Sequence, residues 1–346
     1  MRTEARIDLS AIRSNAAALA ERASGAQLMA VVKADGYGHG DVAPAALAGG
    51  AGWLAVATAG EARELRAAGV PLLVLGALTR SDLRVAIDAG ADVVAWTDEV
   101  AEAAPRVHVK LDTGMGRLGT KDRDHALRLA SRPNVVGLMT HFATADDRED
   151  ELFAEQLALF EEFVSQVGRD DLVVHAANSA AALREPAARF DLVRCGIAIY
   201  GMDPFQEDPA AHELEPALSL RSWVAAVRRF EAGQSAGYGR LWTSERPTWV
   251  ATVPIGYGDG WRRTLTNNCD VLIRARRHPL VGAVSMDNVT VALGPETDVE
   301  VGDEVVLIGS QGGERILAEE IARRLGTINY EVTCGLSPRV RREYVR

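Results

Sequence analysis

Lysine is scarce in this sequence, and one lysine sits where its charge is costly. Of 38 basic residues only Lys33, Lys110 and Lys121 are lysine; the others are arginine. Lys33 falls in the apolar run LMAVVKA (28–34), just before a glycine-rich turn that carries Tyr37 and His39. A buried ammonium ion either loses its proton more easily or is consumed in a covalent bond. Other chemistry-bearing residues close similar runs. Arg117 follows VHVKLD (107–112), and His141 ends VVGLMTH (135–141). Asn178 ends LVVHAAN (172–178) and Ser179 follows it, while Arg194 and Gly196 end DLVRCG (191–196) with Ile197 next.

A Schiff base with an aldehyde cofactor would remove the charge of Lys33 and store a nucleophile. Pyridoxal phosphate (PLP) is the usual aldehyde, and it needs a phosphate cradle and a partner for its ring nitrogen. ANSAA (177–181) offers the Ser179 hydroxyl at a helix start, and RCGIAIYG (194–201) offers glycine-lined backbone. Both suit a phosphate at the late loops of a barrel. Arg194 is a candidate to face the ring nitrogen. An arginine there resists giving up its proton, which leaves the ring a weaker electron sink. Plainer roles compete: a salt-bridged Lys33, Arg117 in an ion pair, a structural His141, Ser179 as a helix cap, Lys110 paired with Asp112, and Tyr257 as packing.

The elements that must position these residues are legible. Eight short runs rich in Val and Leu, without alternation, read as strands buried on both faces. The other three are WLAVA (53–57), LLVLG (72–76) and DVVAW (92–96), with LMAVVKA opening the series. Amphipathic stretches separate most of them. Thr58 with Glu61 fits a capping box, Ser81 fits an N-cap, and residues 149–168 form the clearest helix. Eight strand–helix units imply a (β/α)8 TIM barrel, and the absence of G-x-G-x-x-G after the first run disfavours an open doubly wound sheet. After about residue 217, turn-punctuated strands and one helix (316–326) imply a second, mostly antiparallel β domain. The expected division is 8–217 for a PLP-binding barrel and 218–346 for the β domain, with residues 1–7 available to pair with the latter.

A net charge of −10 disfavours nucleic acid and anionic membranes as partners. The N-terminus lacks the apolar core of a signal peptide, and no apolar run is long enough to span a bilayer. Cys195, Cys269 and Cys334 are three in number and far apart, as in a reduced, cytoplasmic protein. No Cys/His cluster has metal-ligand spacing.

With these motifs assembled, the chain closely resembles the alanine racemases, PLP enzymes of fold-type III. The resemblance runs nearly end to end, through AVVKADGYGHG (30–40), KLDTGMGRLG (110–119), THFATAD (140–146), HAANSAA (175–181), VRCGIAIYG (193–201), IGYGDGW (255–261), SMDN (285–288) and INYEV (328–332). It implies that Lys33 holds PLP and is the base for D-alanine. Tyr257 is then the opposing base for L-alanine, contributed by the other subunit of a homodimer. His141 would tune Tyr257, and Arg117 with backbone near Met286 would hold the substrate carboxylate. Tyr37, Ser179, Gly196 and Ile197 would bind phosphate, and Arg194 would pair with the ring nitrogen. Lys110 aligns with a lysine often carbamylated in the family. The implied product is D-alanine for peptidoglycan.

Some positions depart from the family's pattern. Ser285 stands where cysteine is common, and Asp35 and Gly36 where Asn or Ala is common. Pro338 occupies the place of a phosphate-binding tyrosine, which implies either one phosphate contact fewer or Tyr344 as a substitute from elsewhere. Rival readings are a racemase for serine or another amino acid, a barrel-type PLP decarboxylase, and a non-catalytic PLP-binding protein.

Overall fold

The computed structural model describes residues 3–346; Met1 and Arg2 lie outside them. The chain divides into two compact units. One comprises residues 12–37 and 41–214, the other residues 3–11, 38–40 and 215–346 of those described.

The larger unit is a barrel of eight parallel strands. After a first strand, β1 (Glu4–Asp8), which belongs to the other unit, the barrel strands are β2 (Gln27–Val31), β3 (Trp53–Val56), β4 (Leu72–Val74), β5 (Asp92–Ala95), β6 (Val107–Lys110), β7 (Val135–Met139), β8 (Val173–His175) and β9 (Leu192–Cys195). They lie in the order β8-β7-β6-β5-β4-β3-β2-β9. Backbone bonds Asp191 N–H to Val174 O (3.0 Å) and Arg194 N–H to Ala177 O (2.9 Å) bridge β8 and β9 and nearly close the ring. Every residue of β3, β4, β5, β6 and β9 is buried. That is why these strands read as continuous apolar runs, with interior side chains on one face and helices on the other.

The expected helix is present as Leu152–Val167. Thr58 and Glu61 form the expected capping box. Ser81 is not an N-cap. Thr79 takes that place, with Asp82 completing the box, because the acidic residue three positions on can return a bond to the Thr79 N–H.

The smaller unit is a mostly antiparallel sheet. Its strands run in the spatial order 226–230, 248–253, 289–294, 276–281, 270–273, 304–311, 218–223, 4–8 and 341–345. Only the last pair, β1 with Arg341–Val345, is parallel. Here burial alternates strictly along Leu218–Trp223 and Val289–Gly294, the mark of a one-faced sheet. The expected helix is Ala318–Leu325, and a shorter one follows at Asn329–Cys334. All three cysteines are unbridged. No helix is long and apolar enough to cross a membrane among the described residues.

Candidate active site

The C-terminal ends of the barrel strands carry the sequence-predicted cluster. Lys33 follows β2 by two residues and opens a turn in which Ala34, Asp35, Gly36 and Tyr37 all take left-handed backbone angles (φ 54–56°). Each L-residue in that region costs about 1–2 kcal/mol, so the turn needs external support. Glu61 supplies it. One carboxylate oxygen accepts from Ala34 N–H (2.7 Å), while the other accepts from Ala57 N–H and Thr58 N–H (both 2.9 Å). The capping carboxylate of a neighbouring helix therefore also clamps the backbone beside Lys33.

The turn delivers Tyr37, 8% exposed, onto the Tyr200 ring at 4.9 Å, and Tyr200 O–H donates to Val31 O. The Tyr37 hydroxyl lies over Gly196 so closely that a Cβ there would sit 2.4 Å from it. Ser179 is not the helix cap; Asn178 is, accepting from Ala181 N–H. The Ser179 hydroxyl instead accepts from Gly196 N–H (3.1 Å) and Ala198 N–H (3.4 Å). Tyr37, Ser179 and the backbone at Gly196–Ile197 thus bring two hydroxyls and backbone amides together at a close approach that only glycine permits. The donor set fits a phosphate.

Arg194 is buried and acts as a hub. Its Nη1 donates to His175 Nδ1 (2.8 Å), and its Nη2 donates to Thr140 O and Ala176 O (2.8 Å each) and to His141 Nδ1 (3.2 Å). None of these bonds uses Nε. Burial lowers its pKa to about 10, so it stays charged at neutrality. His141 is held well below the usual histidine range by burial and by the Arg194, Lys110, Arg117 and Lys33 charges, so its imidazole is neutral. Since Nδ1 accepts from Arg194, its proton is on Nε2. Gln156, from the 152–167 helix, anchors this loop by donating to His141 O (3.2 Å).

Lys110 ends β6 and is buried. It makes no ion pair with Asp112, whose carboxylate instead accepts from Gly114 N–H and Gly116 N–H and shapes the loop that presents Arg117. Burial, then Arg194 and Arg117, lower Lys110 to about 8 against the opposing charge of Asp112. Arg117 is exposed. His39, without a chemical role in the sequence, is fully buried.

Tyr257 and Met286 belong to the smaller unit. Tyr257 is 44% exposed on a 3-10 turn. The turn is fixed from three sides. Tyr257 N–H and Gly258 N–H donate to Ser285 O and Met286 O (3.0 Å each), the buried Asp259 carboxylate accepts from Gly256 N–H (3.0 Å), and Ser337 O–H donates to Gly258 O (2.9 Å). Ser285 closes its own turn by donating to Asn288 O (2.6 Å), a bond cysteine makes poorly. Pro338 is exposed. The Tyr344 hydroxyl packs on Gly40, where a Cβ would lie 2.2 Å away.

Family models for the alanine racemase N-terminal and C-terminal domains match residues 7–204 and 217–344. The chain belongs to the alanine racemase family. Its activity is the family's interconversion of L- and D-alanine, and its cofactor is the family's PLP. It is 41% identical to alanine racemase of Symbiobacterium thermophilum, over 99% of this chain and 97% of that one. The alanine racemase of Streptomyces lavendulae superposes with a TM-score of 0.93 at 37% identity, covering 100% of this chain and 97% of the other. That of Bartonella henselae, solved with covalently bound PLP, gives 0.91 at 28% identity with full coverage of both chains.

Sequence reasoning missed Glu61 as a clamp and the histidines behind Arg194. The signal was present. His108 in VHVKLD and His175 in LVVHAAN are polar residues inside otherwise apolar strands.

Proposed function

We propose that Lys33 and Tyr257 are the two bases of alanine racemisation. The observation that carries the reading is the convergence of Lys33, Lys110, Arg117, His141 and Arg194 at the strand ends, beside the Tyr37 and Ser179 hydroxyls at Gly196. PLP, when bound, supplies the electron sink that acidifies the substrate's α-carbon. Lys33 holds the cofactor and moves the α-proton of D-alanine, and Tyr257 moves that of L-alanine from the opposite face. Two groups flanking a planar carbon invert it without either moving far. Both have intrinsic pKa values near 10, so nearby cations are needed to make them work close to neutrality.

The other residues hold and orient. Tyr37, Ser179 and the Gly196 and Ile197 amides take the phosphate, and Arg194 offers Nε–H to the ring nitrogen. Arg117 and backbone at Met286 take the substrate carboxylate. His141 donates Nε2–H to Tyr257. The pKa of Lys110, near 8, leaves enough neutral amine to take up carbon dioxide, and a carbamate there would position Arg117. Tyr257 is exposed on its own chain, as are Tyr238, Leu241 and Met286 of the same unit. This fits a homodimer in which Tyr257 serves the partner's site. The division into a PLP-binding barrel (8–217) and a β domain (218–346), a cytoplasmic setting and D-alanine supply to peptidoglycan complete the reading.

The test is racemisation by the purified protein with added PLP, and the same assay on Lys33→Ala. We expect Lys33→Ala to lose the visible band of the bound cofactor and at least about 10³-fold in activity. Persistence of the band would assign the cofactor to Lys110 or Lys121 instead.

A further inference from the structure

Behind Arg194 lies a line of buried polar groups that the roles above do not use. His175 Nε2 is 2.8 Å from His108 Nδ1, and His108 Nε2 is 3.2 Å from Asp92 Oδ2. Asp92 in turn accepts two bonds from Arg106 (2.6 and 3.1 Å). His108 and His175 are both 0% exposed. The line enters at the start of β5, crosses the barrel interior and ends on β9 beneath the site.

Every proton in this line is assigned by its ends. Arg194 can only donate, so His175 Nδ1 accepts and the His175 proton is on Nε2. That proton can go only to His108 Nδ1, so the His108 proton is on Nε2, directed at a carboxylate that can only accept. No other arrangement satisfies all four groups. The barrel is also built around the central ring. A Cβ on Gly137, which pairs with His108 across β6 and β7, would lie 2.2 Å from His108 Nδ1, and the register slips there by one residue.

We propose that Asp92, His108 and His175 are positioning residues that fix the tautomers of the line, thereby holding Arg194 in the orientation that leaves Nε facing the cofactor ring. The proposal rests on the assignment of Arg194 to the ring nitrogen. Asp92 sets the direction, and each ring transmits it. Burial of an ordered chain of this kind is worthwhile only when every member is satisfied, since one reversed link leaves two donors face to face.

The test begins with the 15N-histidine NMR spectrum of the PLP-loaded wild-type protein. His175 is expected as the neutral Nε2–H tautomer between about pH 6 and 9, the form that donates to His108 Nδ1. An Nδ1–H tautomer or an imidazolium at His175 in this range overturns the proposal, whatever the variants do. His108→Leu removes the acceptor and is expected to give a mixed His175 tautomer, an altered visible band and about a tenfold or greater fall in kcat with KM little changed. His108→Gln, whose amide oxygen can accept from His175, is expected to recover most of this. Equal losses in the two variants with an unchanged His175 tautomer would make the line merely structural and overturn the proposal. A tautomer change without any change in band or kcat would likewise refute its link to the cofactor. A wild-type protein that shows no visible band with PLP would defeat the proposed cofactor site instead, and the tautomer result is read independently of it.

Discussion

The two proposed bases stand on different kinds of support. Lys33 is surrounded by groups from many strands, Lys110, His141 and Arg194 among them, brought together by a nearly closed barrel. Tyr257 sits on a turn held by three short segments (256–260, 285–288 and 337–339), with its ring outward. In the first region the chain supplies the environment itself. In the second it supplies rigidity, and a second copy is the proposed source of the environment.

The largest effect should come from separating the two. Lys33→Ala and Tyr257→Phe homodimers should each be nearly inactive. Mixed under conditions of subunit exchange, they should recover roughly a quarter of wild-type activity, because a mixed pair retains one intact shared site. No recovery on exchange would place both bases on one chain. In the same Tyr257→Phe protein, solvent deuterium exchange at the α-carbon of L-alanine should fall about 10²–10⁴-fold and that of D-alanine less. Equal loss would end the assignment of one base to each face.

Tyr37→Phe should weaken PLP affinity about 10–100-fold, the range expected for one hydrogen bond to a charged group. Measured by cofactor titration, an unchanged affinity would remove the hydroxyl from the cradle. Gly256→Ala tests the rigid turn. Its Cβ would lie 2.2 Å from Ser285 O, and the backbone must shift, at about 1–3 kcal/mol of stability in denaturant unfolding. An unchanged midpoint would show the turn to be slack.

The smallest effect is in pH. The pKa of His175 is lowered far below its ordinary value by burial, then by Arg194, His108 and Lys110. Below about pH 6.5 the unfolded chain binds a proton there that the native chain refuses. Stability therefore falls with pH from about 6.5 down to the depressed value, by about 1.4 kcal/mol per pH unit, and is unaffected by this group above 6.5. Burial alone would raise the pKa of Asp92, but bonds from His108 and Arg106 hold it low, so it contributes only in more acid solution. A flat stability between about pH 6.5 and 5 would contradict the buried neutral ring.

Sequence by itself determined the fold class, the eight barrel strands and the residues at their ends. Parallel strands buried on both faces leave an unambiguous apolar signature, and the strand ends of a barrel face one way. It also singled out Lys33 by scarcity and by its motif. The tertiary structure decided what local spacing cannot express. It gave Asn178 rather than Ser179 the cap and turned the Ser179 hydroxyl toward the Gly196 and Ala198 amides. It left Lys110 unpaired with Asp112, whose short side chain is used by its own loop. It carried Glu61, 28 positions away, to the backbone beside Lys33, and threaded Asp92, His108 and His175 into one line. Each of these depends on which side chain reaches which partner across strands, and a linear pattern holds no record of that.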